Sequence, residues 1–318
     1  MIRLLFAAVI TAATLITGVS NAQSLDPNRP IRFVVPFAPG GQSDVFVRIL
    51  ADGMTSTSNR QINVENRSGG YITVGGRFVM DQPADGHTLI NVANGFTTSR
   101  HYVPDMPFDP REEFSVVAVA IKTPMTLMIP TVNTEIQDFN SLVSAIRSRP
   151  DFYTYYSTGG GGTGAMASHL FASSIGGSMV NVPYRGSGPA VADFLAGRLT
   201  IMFDTVPVGS QLHGRGGRML AVTSDRRVSN HPDIPTFREL GINHDFYVWQ
   251  GIFVRSNTPR PIREQLNVMI NRALNHPDTR ARILGTGVEE SWITQNNLSN
   301  TERFMESEIA TWRQMFGK

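Results

Sequence analysis

The first segment whose residue types and spacing suggest chemistry is residues 36–44, PFAPGGQSD, in which a strand pattern passes into a helix pattern. Glycine allows a backbone to approach a ligand closely, and the free N–H groups at a helix N-terminus attract an anion. The segment therefore indicates an anion site. Ser43 or Asp44 can equally act only as the cap of the helix, so both interpretations stand.

A second glycine loop lies between a strand pattern and a helix pattern at residues 155–164, YYSTGGGGTG. It satisfies the dinucleotide motif G-x-G-x-x-G, but a continuous run of glycines does so almost automatically. A dinucleotide site also needs an acidic residue near the end of the next strand, and that strand ends in Tyr184 and Arg185 with no carboxylate. The loop therefore favours a backbone site for a carboxylate or phosphate over a dinucleotide cofactor.

Two further strand ends carry polar side chains, Tyr184 in residues 182–190 (VPYRGSGPA) and Asp204 in residues 201–205 (IMFDT). In open α/β sheets, residues at the carboxyl ends of strands line the ligand crevice. Asp204 can equally be a turn residue or a helix cap, and Arg185 is either a carboxylate clamp or an ordinary surface arginine. Both strand ends are therefore candidates for one crevice.

The sequence lacks the patterns of common catalytic and metal sites. It contains no cysteine, which excludes disulfides, thiolate nucleophiles and cysteine metal sites. It also lacks the motifs G-x-S-x-G, H-E-x-x-H and G-x-x-x-x-G-K-[ST], and no two of its seven histidines have i, i+4 spacing. We therefore expect no enzymatic activity, no metal and no cofactor.

The composition is that of a folded globular chain. Of 318 residues, 41% are hydrophobic and 17% are charged, which disfavours extensive disorder. The formal net charge is only +2, so no nucleic-acid partner is expected. The length suffices for two domains of ordinary size.

The N-terminus has the three parts of an export signal. Arg3 gives a short positive region, an apolar run extends from Leu4 to Val19, and small residues precede an expected cleavage after Ala22. The alternative is a membrane anchor, but the run is shorter than the roughly 20 residues that span a bilayer. Residues 1–22 are therefore predicted to be a cleaved signal peptide, and the mature protein is expected in the periplasm.

Strand and helix patterns alternate along the rest of the chain, which predicts an α/β fold with mostly parallel sheets. Trp249 lies in an apolar strand and is predicted to be in the core, with the wall of a pocket as the alternative. Strands are predicted at residues 31–37, 88–93, 116–121, 125–130, 153–157, 181–184, 199–203, 219–223 and 248–254. Helices are predicted at residues 43–54, 139–148, 163–175, 189–196, 261–274 and 298–316.

These segments occur in an order that resembles one known family. The motif of residues 36–44 is followed by ENRSGG at 65–70, DGHTL at 85–89, VPYRGSGPA at 182–190 and MFD at 202–204. Together they are similar to the Bug-type extracytoplasmic solute receptors of tripartite tricarboxylate transporters. The resemblance extends from about Pro30 to the C-terminus, so it covers nearly the whole expected mature chain.

The resemblance implies a type II periplasmic-binding-protein fold, in which two α/β domains joined by two crossover strands close on a ligand between them. The first domain would comprise residues 24–125 and 250–318, and the second residues 126–249. The ligand would be a small carboxylate, either a di- or tricarboxylate or an aromatic acid. A monomer is expected to deliver it to the large and small membrane subunits of a permease; the alternative is a ligand sensor that acts on a membrane-bound sensor kinase.

The resemblance also assigns ligand-binding residues. The first loop would present N–H groups and water to one carboxylate, and the glycine loop would hold the other end of the ligand. The first-domain residues are Pro39, Gly40, Gly41, Gln42, Ser43 and Asp44. The second-domain residues are Ser157, Thr158, Gly159, Gly162, Thr163, Tyr184, Ser187 and Asp204.

Two departures from the family pattern lie in these loops. Residues 157–169 look about one helical turn longer than in typical relatives, which leaves open which glycine or threonine begins the helix. Gln42 stands where a small residue is common, and its side chain would narrow or repolarise the entry to the first carboxylate site. Ligand identity is expected to depend on both loops.

Overall fold

The computed structural model describes residues 24–316 apart from residues 38, 41, 71, 104, 133–134, 158–161 and 185–186. The expected signal peptide lies outside the described residues. Within the described part, no helix is both long enough and apolar enough to cross a membrane.

The described residues form strands and helices in an alternating order. The strands are β1 Ile31–Val35, β2 Ile62–Asn66, β3 Thr88–Val92, β4 Phe114–Pro130, β5 Thr154–Ser157, β6 Val180–Pro183, β7 Met202–Thr205, β8 Gly217–Val222 and β9 Tyr247–Arg255. The helices are α1 Gln42–Ser58, α2 Thr73–Met80, α3 Gly95–Tyr102, α4 Pro110–Glu113, α5 Phe139–Ser148, α6 Thr163–Ser174, α7 Ser187–Leu195, α8 Val206–Leu212, α9 Arg260–Asn275, α10 Pro277–Leu284 and α11 Leu298–Phe316, with a 3-10 helix at Glu290–Trp292.

One group of strands is built on β1. It pairs in parallel with β2 on one side and with β3 on the other, and β3 pairs antiparallel with β9. The β1 side chains are almost all buried, as expected for a central strand covered on both faces. The carboxyl ends of the three parallel strands therefore lie at one edge of this part of the sheet.

Strand β4 connects this group to a second one. Its residues 114–124 pair antiparallel with β9, and its residues 125–130 pair antiparallel with β7 and β8. The sequence predicted two strands here with a break at residues 122–124. The break is absent because Lys122 and Pro124 both lie opposite residues of β9, Trp249 and Tyr247.

The sheets are mixed rather than mostly parallel, so that part of the sequence prediction is wrong. β5 and β6 form a parallel pair, and Tyr155 forms a parallel bridge to Ile201 just before β7. The antiparallel pairings all involve β4 or β9, the two strands that run from one group of strands to the other. The partner change in β4 falls next to the predicted domain boundary at residue 125.

Helix α11 covers the region where β4 and β9 run side by side. Trp249 of β9 is fully buried, as predicted, and its indole N–H donates a hydrogen bond to Glu308 of α11 at 2.9 Å. Burial raises the pKa of Glu308. Farther along α11, the rings of Trp312 and Phe246 pack edge to face with centroids 5.8 Å apart. This helix therefore contacts the chain on both sides of the start of β9.

Candidate functional site

The first loop, residues 36–41, joins β1 to α1 and is organised by Asp44 in the first turn of that helix. The Asp44 carboxylate accepts hydrogen bonds from the Gly40 N–H at 2.9 Å, from the Asn66 side-chain amide at 2.8 Å and from Arg48 Nε at 3.1 Å. Gly40 has a φ of +82°, a left-handed conformation that favours glycine. Contacts within the chain therefore hold Gly40 of this loop next to the first turn of α1.

The environment of Asp44 favours its ionised form. The residue is only 3% exposed. Burial alone would raise its pKa, but the hydrogen bonds from Arg48, Gly40 and Asn66 together outweigh burial and leave the pKa below its ordinary value. Because donors from the chain surround this carboxylate, it fits a role in positioning the loop better than direct contact with an anionic ligand.

Other donors of the same loop are available to a ligand. The first N–H groups of an α-helix have no partner inside the helix, and in α1 these begin at Gln42, which is exposed. The Ser43 hydroxyl lies 3.2 Å from the side-chain oxygen of Gln250 and donates to it, which ties the start of α1 to β9. Pro39 and Gly40 are exposed, and Gly41 lies outside the described residues.

The second group of predicted residues is organised around Asp204 at the end of β7. Its carboxylate accepts hydrogen bonds from the Tyr156 hydroxyl at 2.6 Å and from the Thr205 N–H at 2.7 Å. Burial raises the pKa of Asp204. Burial and the neighbouring carboxylate also raise the pKa of Tyr156 well above its ordinary value. These two side chains form a buried pair at the ends of β5 and β7.

Helix α6 begins at Thr163, with Gly162 as its cap. This identifies the residue that starts the helix, which the sequence left open. A methyl group on Gly164 would lie 3.1 Å from the Phe203 carbonyl oxygen and 3.5 Å from the Tyr156 ring. The first turn of α6 therefore packs against the ends of β5 and β7. The predicted site residues Thr158 and Gly159 lie outside the described residues.

The third predicted loop joins the same group through backbone contacts. The Tyr184 N–H donates to the Ser157 carbonyl at 2.7 Å, and the Tyr184 hydroxyl donates to Asp193 at 2.7 Å. The Ser157 side chain is fully buried, and its hydroxyl makes no hydrogen bond among the described residues. Ser187 is the first residue of α7. Ser157 therefore contacts Tyr184 directly, and the adjacent Tyr156 contacts Asp204.

Two close approaches connect residues after β3 and after α10 with helices α6 and α8. The Thr98 hydroxyl of α3 lies 3.7 Å from the sulfur of Met166 in α6. On another side, a methyl group on Gly287 would lie 3.2 Å from Pro207 in α8. Each approach therefore joins a residue of the predicted first domain to a residue of the predicted second domain.

Sequence reasoning missed several residues that build these loops. Asn66 lies in the motif ENRSGG, so a signal for it existed, although its bond to Asp44 was not predicted. Tyr156 and Gln250 carried no pattern that pointed to Asp204 or Ser43. Among the described residues, no group of three or more His, Cys, Asp or Glu is placed to hold a metal ion.

Comparison with known proteins identifies the family. Residues 46–318 match the family model described as tripartite tricarboxylate transporter family receptor. A protein of Pseudomonas sp. (strain P51), named for the tcbD-tcbE intergenic region, is 33% identical over 318 residues, covering 98% of this chain and 93% of that protein. Protein BugT of Bordetella pertussis (strain Tohama I) is 28% identical over 320 residues, covering 98% of this chain and 96% of BugT.

Two known structures are similar over almost their whole length. Rpa4515 of R. palustris, solved with adipate, has a TM-score of 0.77 and 28% identity, covering 92% of this chain and 98% of that one. MatC of Rhodopseudomonas palustris, solved with bound malate, has a TM-score of 0.77 and 26% identity, covering 92% and 100%. They confirm the predicted α/β fold of the type II periplasmic binding proteins. The chain therefore belongs to the receptor family of the tripartite tricarboxylate transporters, among the Bug-type receptors.

Proposed function

We propose that the protein is a periplasmic receptor that captures a small carboxylate and delivers it to the large and small membrane subunits of a tripartite tricarboxylate-type permease. The ligand would lie between two domains, residues 24–125 with 250–318 and residues 126–249, that close on it. Family membership supports the receptor role. The structures of Rpa4515 with adipate and of MatC with malate support a carboxylate as the ligand.

The observation that carries the proposal is the pair of strand-to-helix loops at α1 and α6. A carboxylate that leaves water must regain its hydrogen bonds, or binding is too costly. The N-termini of α1 and α6 supply N–H donors and a favourable dipole without a fixed counter-charge. The first loop is already held in shape by Asp44, so little ordering is needed when the ligand binds.

The predicted site residues divide into two roles. The backbone of Gln42, Ser43, Thr163 and Gly162 would present donors, while Asp44 and Asp204 would hold the loops that carry them. The remaining predicted residues, Pro39, Gly40, Gly41, Ser157, Thr158, Gly159, Tyr184 and Ser187, would complete the walls of the site.

Binding rather than chemical conversion would be the functional event. A ligand shifts a protein toward the closed form only by the difference between its affinities for the closed and open forms. A carboxylate that contacts both loops binds the closed form better, since only that form brings all donors within reach. The permease would then recognise the closed receptor.

A thermal unfolding screen tests the ligand class. The protein purified after export and refolded without ligand is measured with aliphatic dicarboxylates, tricarboxylates and aromatic acids. Ligand at 100 times its dissociation constant should stabilise the fold by about 2.7 kcal/mol. If no carboxylate raises the unfolding midpoint, the proposal of a carboxylate receptor is wrong.

A backbone substitution tests the site itself. Thr163→Pro removes one N–H at the first position of α6, where proline is well tolerated, and Gly162 already has the extended conformation that precedes proline readily. Loss of one hydrogen bond to a carboxylate should cost about 1.5–3 kcal/mol, or roughly 10- to 100-fold in affinity. Thr163→Ala keeps the N–H and is the matched control. Equal affinities for the two variants would remove α6 from the site.

Copurification distinguishes the proposed partner from the alternative that the sequence left open. The ligand-loaded receptor should be retained by membrane fractions that contain the permease subunits, and the ligand-free receptor should be retained less. Retention by the outer domain of a sensor kinase instead would favour the sensor function.

A further inference from the structure

A cavity of about 230 Å³ lies beside the first loop, between the first two turns of α1, the end of α10 and the strands β4 and β9. Its walls are mainly aliphatic and aromatic. The apolar side chains that line it are Val45, Phe46, Ile49, Ile121, Ile283 and Val288. Most of these are buried in the fold, so the shape of the cavity is set by the packed core.

The cavity carries no charge on the described residues that line it. Its polar side chains are those of Gln42, Gln250 and Thr286, and the Gln250 side-chain oxygen already accepts a hydrogen bond from Ser43. A carboxylate placed among the apolar side chains, away from the start of α1, would lose its water without gaining a cation or N–H donors, which is costly. The part of a ligand that enters must therefore be uncharged.

The size and the walls suit a hydrocarbon group. Removing apolar surface from water is favourable by about 25 cal/mol per Å². A dry cavity of about 150 Å³ lined by Leu, Ile and Phe is known to bind benzene. The present cavity is larger, so it has room for one ring or a short unbranched chain.

The cavity is continuous with the proposed ligand site. Gly40 and Gln42 belong to both the first loop and the cavity wall. At the other end, Thr286 and Val288 flank Gly287, where an added methyl group would lie 3.2 Å from Pro207, close to Asp204 in the chain. A ligand whose carboxylate meets the N–H groups of α1 can therefore place its carbon body in the cavity.

We infer that the ligand is an acid with an uncharged apolar body, aromatic or unbranched aliphatic, that fills the cavity beside α1, rather than a short hydroxylated di- or tricarboxylate. This inference rests on the proposed function and narrows it. The shared chemistry is a carboxylate joined to a hydrocarbon group. Benzoate and hexanoate represent its aromatic and aliphatic forms.

Calorimetry with four acids tests the inference. Benzoate and hexanoate have uncharged apolar bodies, whereas malate and citrate are short and hydroxylated. At least one of the two apolar acids should bind tenfold or more tightly than both malate and citrate. The ratio of the dissociation constants of the two apolar acids tells whether a ring or a chain is preferred. Malate or citrate binding within tenfold of the tighter apolar acid overturns the inference while the receptor function stands. If no acid binds, both proposals fail.

A substitution at the edge of the cavity tests whether the residues that line it cause the preference for apolar acids. Val45 is 38% exposed on α1, so Val45→Glu should fold while placing a negative charge at the cavity. It should weaken the preferred apolar acid at least tenfold. Val268→Glu, at a position 60% exposed on α9, is the matched control and should bind normally.

Val45→Phe fills part of the cavity without adding charge and is a second, independent test. It should also weaken the preferred acid, while the thermal midpoint without ligand stays within a few degrees of the wild type. Unchanged affinity in both Val45 variants would show that the ligand does not enter the cavity and would overturn the inference.

Discussion

Asp44 and Asp204 both lie at strand-to-helix junctions, yet the chain surrounds them in opposite ways. Asp44 is bonded to Gly40, Asn66 and Arg48, all of which donate, and its pKa is lowered despite burial. Asp204 is bonded to the Tyr156 hydroxyl and the Thr205 N–H, with no cation among these partners, and burial raises its pKa.

The surroundings of Asp44 therefore stabilise its negative charge, whereas the surroundings of Asp204 disfavour the charge. The contacts of Asp44 need two acceptor oxygens and a negative charge next to Arg48. At Asp204, one side-chain oxygen must accept from the Thr205 N–H. The other side-chain atom needs only to form a hydrogen bond with the Tyr156 hydroxyl. A hydroxyl both donates and accepts, so the second site has an alternative hydrogen-bond arrangement that the first lacks.

The largest expected effect comes from replacing each aspartate with asparagine. In Asp44→Asn, the new amide group must face a donor, so a buried donor loses its acceptor, at a cost of about 2 kcal/mol. In Asp204→Asn, the amide can donate to Tyr156 while its oxygen accepts from Thr205, and the loss should stay below about 1 kcal/mol. Urea unfolding followed by tryptophan fluorescence measures both changes in the free energy of unfolding.

Asp52→Asn provides the control for this pair. Asp52 lies in α1, its side chain is 62% exposed, and it forms one surface ion pair with Arg282. Such pairs contribute little, so the variant should lose less than about 0.5 kcal/mol. Equal losses for Asp44→Asn and Asp204→Asn would remove the distinction between the two sites.

A smaller effect is expected from the tyrosines beside the second site. Tyr156→Phe leaves the buried Asp204 carboxylate with only the Thr205 contact and should cost about 1.5 kcal/mol. Tyr184→Phe removes a hydrogen bond to Asp193, whose side chain is 29% exposed. Water replaces that bond, so this matched change should cost less than about 0.5 kcal/mol. The same unfolding measurement checks both, and a larger loss for Tyr184→Phe would contradict the assigned burial of the Asp204 pair.

The smallest effect is a change in stability with pH, and it should have opposite signs at the two aspartates. The ordinary pKa is 3.8, with Asp44 below it and Asp204 above it. The contribution of Asp44 is present above about pH 4 and is lost as the pH falls through its folded-state pKa. The contribution of Asp204 is present below about pH 4 and is lost as the pH rises through its folded-state pKa.

Unfolding of the wild type and both asparagine variants between about pH 3 and pH 7 measures these contributions. The advantage of the wild type over Asp44→Asn should grow as the pH rises from the acid end. The stability of the wild type relative to Asp204→Asn should instead fall as the pH rises. Differences of the same sign would show that the two environments are alike.

The two strand-to-helix junctions that carry the proposed site were predictable from local sequence. The glycine loops at residues 40–41 and 159–162 fall between strand and helix patterns, and helix starts obey local rules of capping. The partners of the two aspartates were not readable. Asn66 is 22 residues from Asp44, and Tyr156 is 48 residues from Asp204. Only the tertiary fold brings such residues together, so the sequence did not show that the two aspartates have opposite electrostatic environments.

The missed elements have physical reasons of their own. β2 is a partly exposed edge strand with polar residues, so it shows no apolar run. α2 contains two adjacent glycines, which lower helix propensity but allow close packing against Pro36 and Phe108. The walls of the cavity come from α1, β4 and the residues after α10, and no local pattern joins segments so far apart.

The hydrogen bond between Trp249 and Glu308 makes the intrinsic fluorescence of Trp249 a probe of movement between β9 and α11. Trp249 is one of only three tryptophans in the chain, and it sits on β9 opposite Lys122, just before β4 changes partners. A rotation about these strands would alter the separation of the indole from a nearby carboxylate, to which its emission is sensitive. Stopped-flow fluorescence of the unlabelled protein should therefore follow each binding event in real time.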